Sequence, residues 1–167
     1  MTKAVWGNAL TAAAIVLLPL QVYAQAIDTA TVSVSATVSA KAKLTLGSTA
    51  ASFADADPDL TPLLSATAIS IDVKSRTSAA GSVTLTVLAG DDLLNVANDP
   101  IAINNLTWTV TGTGFAAGTM SKTVAQSVGS WSGGGTQSGT QTYKLVNSWS
   151  YKTGSYGASI TYTLTAP

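Results

Sequence analysis

The stretch "TVSVSATVSAKAKLTLG", residues 31–47, puts Val32, Val34, Ala36, Val38, Ala40, Ala42, Leu44 and Leu46 at every even position. Thr, Ser or Lys fills the odd positions. Alternation at period two is the pattern of a strand with one face buried. Extended, the segment 31–46 would reach ~50 Å, whereas a typical strand has about five or six residues. One strand of a compact domain has no use for that length, so the run must kink, change sheets or reach outside its own domain. An uncharged alternating row left open is an aggregation hazard unless something pairs with it. Val32, Val34, Ala36 and Val38 are therefore the candidate residues for strand addition to another subunit.

Downstream the same period recurs in shorter runs. Ile69, Ile71 and Val73 alternate in one, Val83, Leu85 and Val87 in the next, and Leu106, Trp108 and Val110 in a third. Tyr143, Leu145, Trp149 and Tyr151 share a parity, as do Ile160, Tyr162 and Leu164 in a regular final strand over residues 158–165. Pro58 and Pro62 among Asp55, Asp57 and Asp59 mark a turn-rich loop. "SRTSAAG", residues 75–81, has the composition of a hairpin connection, and "SGGGTQSG", residues 132–139, that of a flexible tip. Threonine rows on the opposite parity suit the exposed face of strands. The expectation is about seven to nine short strands in an immunoglobulin-like antiparallel β-sandwich. Its core is expected to hold Trp108, Trp149 and Tyr162, with Ile160, Tyr162 and Leu164 of the final strand facing inward. Pro167, which has no backbone donor, suits the end of a ladder.

Outward from these strands, "MTKAVWGNALTAAAIVLLPLQVYAQA" opens the chain with a basic Lys3, an apolar stretch and Ala24-Gln25-Ala26. This reads as a secretory signal peptide over residues 1–26, with a single sandwich domain over 27–167 that is secreted or held at the cell surface and not inserted in the membrane. The formal net charge is zero and charged residues make up only 10% of the chain, which argues against a nucleic-acid partner. There is no His, no Cys and no Glu, so Ser-His-Asp and Cys-His catalysis and zinc ligation lack their residues. Asp55, Asp57 and Asp59 have the spacing that opens a calcium loop but lack its later glycine and glutamate. The reading is a non-enzymatic protein without metal or cofactor.

"LTWTV" (residues 106–110) and the closing "GSYGASITYTLTAP" (residues 154–167) together resemble the WxL-type surface domains of bacteria. Trp108-Thr109-Val110 stands at the first motif with Val for Leu, and Tyr162-Thr163-Leu164 at the second with Tyr for Trp. That resemblance implies attachment to the bacterial cell wall. The long alternating segment ahead of a cysteine-free sandwich is similar to pilin subunits, in which an N-terminal extension supplies a strand to the neighbouring subunit. Two functions follow as expectations. One is a structural surface subunit that associates with itself, or with another surface protein, by strand addition. The other is a cell-wall or carbohydrate-binding module, which would need an aromatic platform such as Trp131, Trp149 and Tyr151.

Overall fold

A computed structural model of the chain describes residues 28–78 and 80–167. The signal-peptide reading over residues 1–26 lies outside the described residues. By contacts the chain divides into Met1–Ala36 and Thr37–Pro167. In the first unit, residues 28–36 carry no strand and are exposed.

The second unit is all-β, with eleven strands among the described residues: β1 (Lys41–Leu46), β2 (Leu63–Ser65), β3 (Ile69–Arg76), β4 (Ser82–Ala89), β5 (Leu93–Leu94), β6 (Pro100–Ile101), β7 (Leu106–Thr111), β8 (Gly118–Thr119), β9 (Gln126–Ser132), β10 (Gly135–Val146) and β11 (Ile160–Thr165). β2, β5, β6 and β8 have only two or three residues, which is why the sequence pattern, needing several alternations to register, suggests fewer. Every pairing is antiparallel. One sheet runs β1-β3-β10-β7-β8, with β2 also on β10; the second runs β11-β4-β9; β5 and β6 form a third.

The two larger sheets share one core. Ile71 and Val73 of β3, Trp108 of β7 and Tyr143 of β10 come from the first, and Leu85, Val87 and Val128 from the second. Trp108 is 2% exposed and its indole N–H donates to the Ala116 carbonyl at 2.9 Å. A buried ring of that size needs such a partner for its one polar atom.

Three expectations change. The even-parity run stops being a strand before Lys41: β1 covers only Lys41–Leu46, and residues 28–40 pair with nothing in a ladder. Residues 75–81 are not a hairpin, because β3 and β4 lie in different sheets and the segment crosses between them. The glycine- and serine-rich run is not a flexible tip, since residues 135–141 of β10 pair with β3 along their length. Gly139 is required there by close approach. A Cβ on it would lie 2.3 Å from the Thr111 carbonyl oxygen and 2.7 Å from the Phe115 ring.

Candidate functional site

Among the described residues β11 is the edge of the second sheet, bonded to β4 alone through the register Ile160↔Ala89 to Thr165↔Thr84. Its partner-free edge comes close to β1, the edge of the first sheet, but forms no ladder with it. Among the described residues no ladder joins these two edges. Ile160, Tyr162 and Leu164 pack against the core but are only partly buried, as are Leu44 and Leu46 of β1. At the end where β1 finishes and β11 starts, the gap widens into a cleft of about 1570 Å³. Its apolar floor includes Leu46, Phe53, Leu64, Tyr143, Ile160 and Tyr162, and residues 48–58 and 147–159 form its rim.

The aromatic residues are distributed differently from expectation. Trp149 is not a core residue but is 70% exposed. β10 ends at Val146, and the Asn147 side-chain amide donates to the carbonyls of Ala56 and Thr61 at 2.9 and 3.0 Å. The chain then turns: the Ser148 hydroxyl accepts from the Ser150 N–H, and the Tyr151 N–H returns to the Ser148 carbonyl. The parity shared by Tyr143 and Leu145 is lost in that turn, and Trp149 sits on its tip with its indole N–H on Asp59 Oδ1 at 3.1 Å. Tyr151 and Trp149 both line the cleft rim. Trp131 is not part of it; its ring meets Phe115 edge-on at 5.0 Å, and its N–H donates to the Thr113 carbonyl. The three-aromatic platform is not assembled.

Beneath the cleft lies a polar chain that the alternation pattern did not reveal. Tyr162 donates to Gln141 Oε1 at 2.8 Å and is 2.7 Å from the Tyr143 hydroxyl. Gln141 is fully buried, and its Nε2 has no partner among the described residues. Burial pushes both phenols up from their ordinary pKa, and for Tyr143 the neighbouring Tyr162 adds to the effect. Both rings stay neutral at physiological pH, so they act here as hydrogen-bonding spacers between the sheets.

Asp55, Asp57 and Asp59 are exposed in the turn, where Asp57 Oδ1 accepts from the Asp59 N–H at 2.9 Å. Among the described residues no group of three or more acidic, His or Cys side chains is placed to hold a metal ion. No helix among them is long and apolar enough to cross a membrane. Val32, Val34 and Val38 are 83, 90 and 67% exposed, and Ala36 is exposed with them. The chain matches no protein-family model and no curated protein sequence.

Proposed function

We propose that the protein is a non-enzymatic structural subunit, exported to the cell surface, that associates with other copies by β-strand addition. The observation that carries the reading is that both halves of such an exchange are present in one chain. The acceptor is β11, with one edge unpaired and Ile160, Tyr162 and Leu164 half exposed beside an apolar cleft. The donor is residues 31–40, an alternating apolar row in no strand, with Val32, Val34 and Val38 in the open. Strand addition would give the donor's backbone a ladder and cover the apolar residues of both partners. The leader-like start of the sequence supports export, since a self-associating edge is better exposed after secretion than before it.

The test is the oligomeric state of the exported protein and of a variant lacking residues 27–40, followed by light scattering across concentration. The full-length mature protein is expected to form larger species and the variant to remain a folded monomer. Equal association of the two, or a strictly monomeric full-length protein, would overturn the reading. The second reading, a glycan-binding module, draws on Trp149, whose exposed ring is held in place by Asp59 beside Tyr151. Retention of the monomer on peptidoglycan, lost in Trp149→Ala, would favour it.

A further inference from the structure

The charges of the sandwich are divided between its two ends. Lys122 bonds Asp91 and Asp92 at 3.0 and 2.7 Å, and Lys152 bonds Asp99 at 2.5 Å. These pairs neutralise one another locally. The charges outside them are arranged otherwise. On the β1–β3 ladder Lys41 stands opposite Arg76, and Lys43 stands opposite Lys74. All four are exposed, and none forms an ion pair among the described residues. Like charges directly opposite on an antiparallel pair are unfavourable, and here two such pairs are stacked. The nearest acid on the ladder is Asp72, opposite Thr45, whose carboxylate already accepts from the Ser138 hydroxyl. Among the described residues the remaining basic residue is Lys144, on β10 beside β2 and next to the cleft-lining Leu145, a single cation at the far end.

The complementary charge is at the other end of β1. Asp55, Asp57 and Asp59 are exposed and pair with no cation among the described residues, and Asp55 and Asp57 rim the apolar cleft. About 17 Å of strand separates Lys41 from Leu46, where the chain leaves for that loop.

We propose that copies of this chain dock head to tail, with the cationic end at Lys41, Lys43, Lys74 and Arg76 of one copy set against the acidic rim at Asp55, Asp57 and Asp59 of the next. This rests on the strand-addition reading and adds to it a partner face and a direction. Lys41 and Lys43 directly follow the donor segment in sequence. A donor that enters a neighbour's cleft past the acidic rim, N-terminus leading, ends with its own lysines at that rim. β11 starts at the cleft with Ile160 and runs toward the cationic end, where the Thr77 hydroxyl donates to the Pro167 carbonyl. The donor so placed runs antiparallel to β11, as all the other strand pairs do. The reverse insertion would bring the cations of two copies together. Complementary ends also speed encounter and exclude the head-to-head register.

Four proteins test this: the mature protein, a cation-reversed variant (Lys41→Glu, Lys43→Glu, Lys74→Glu, Arg76→Glu), an acid-reversed variant (Asp55→Lys, Asp57→Lys, Asp59→Lys), and a variant carrying both sets. All the changed side chains are exposed, and circular dichroism checks that each variant folds. Association at low salt, followed by light scattering, is expected to slow by about tenfold or more in either single-set variant and to recover in the combined one. The mature protein should slow similarly as salt shortens the screening length from ~30 to ~3 Å. Reversed variants that associate as fast as the mature protein, or a combined variant that stays slow, would overturn the proposal. The variant lacking residues 27–40 separates the two ideas. If it fails to associate while charge reversal has no effect, strand addition stands and head-to-tail docking falls. If it still associates in a charge-dependent way, the docking stands and strand addition falls. Mature protein that stays monomeric but sediments with phosphatidylglycerol vesicles would assign the cationic end to an anionic lipid and overturn docking to a second copy.

Discussion

The Gln141–Tyr162–Tyr143 chain allows a quantitative test of how the two sheets are held together. Tyr162→Phe removes one hydroxyl from a site where Gln141 is fully buried. It leaves Gln141 Oε1 without its 2.8 Å donor, beside an Nε2 that is already unpaired, and takes the 2.7 Å partner from Tyr143. A buried polar group stripped of its partner costs about 1–3 kcal/mol. Two groups are affected, but Tyr162 is half exposed and water can reach part of the site, so the expected loss is about 2 kcal/mol. Gln141→Leu acts in the opposite sense, since it removes the orphaned amide along with the acceptor. Tyr162 keeps Tyr143, and the net change should lie within about 1 kcal/mol of zero. In the double variant the phenyl ring faces a leucine and no orphan remains on that side. Its loss should be smaller than that of Tyr162→Phe alone, giving a coupling of about 1–2 kcal/mol. Urea unfolding of the four proteins, fitted with a shared slope, measures it. Effects that add to within about 0.5 kcal/mol would show that Tyr162 and Gln141 do not interact, and the bridge between the sheets would have to be withdrawn.

Trp108→Ala should cost about 3–5 kcal/mol, while Trp149→Ala should stay within about 0.5 kcal/mol, both read from the denaturant midpoint. Gly139→Ala should destabilise by about 1–3 kcal/mol, because its Cβ would be forced against the Thr111 carbonyl and the Phe115 ring. Gly157→Ala, whose Cβ would meet nothing within 4 Å, should be neutral or slightly stabilising, so equal melting temperatures for the two variants would contradict the placement of β10. The folded-state pKa values of Tyr143 and Tyr162 are raised by burial, so the stability they confer is complete below the ordinary tyrosine value of about 10 and is lost as pH rises above it. Denaturant midpoints should hold up to about pH 10 and fall above it, and Tyr143→Phe should flatten that fall.

Period-two alternation carried the fold class because it reports which face of a strand is buried: β3, β4 and β7 bury the face so marked, and β11 turns it inward but buries it only in part. It is blind to three things, and each matters here. Alternation records a preference for burial but not the presence of a partner, so the even-parity row from Val32 to Leu46 reads as one element although only Lys41–Leu46 meets β3. It persists past the end of a strand by coincidence of composition, as at Trp149, where the Asn147 side chain and a serine-closed turn redirect the chain. It also has no term for glycine, so the run from Gly135 to Gly139 reads as mobile, whereas the missing side chain of Gly139 is what lets β10 lie against Thr111 and Phe115. The separation of charge was hidden for a different reason. Zero net charge on the whole chain says nothing about distribution, and Lys41 and Arg76 become neighbours only through a register between strands more than thirty residues apart. The register that brings Lys41 opposite Arg76 also brings Lys43 opposite Lys74, so one pairing of strands creates both like-charge pairs at once.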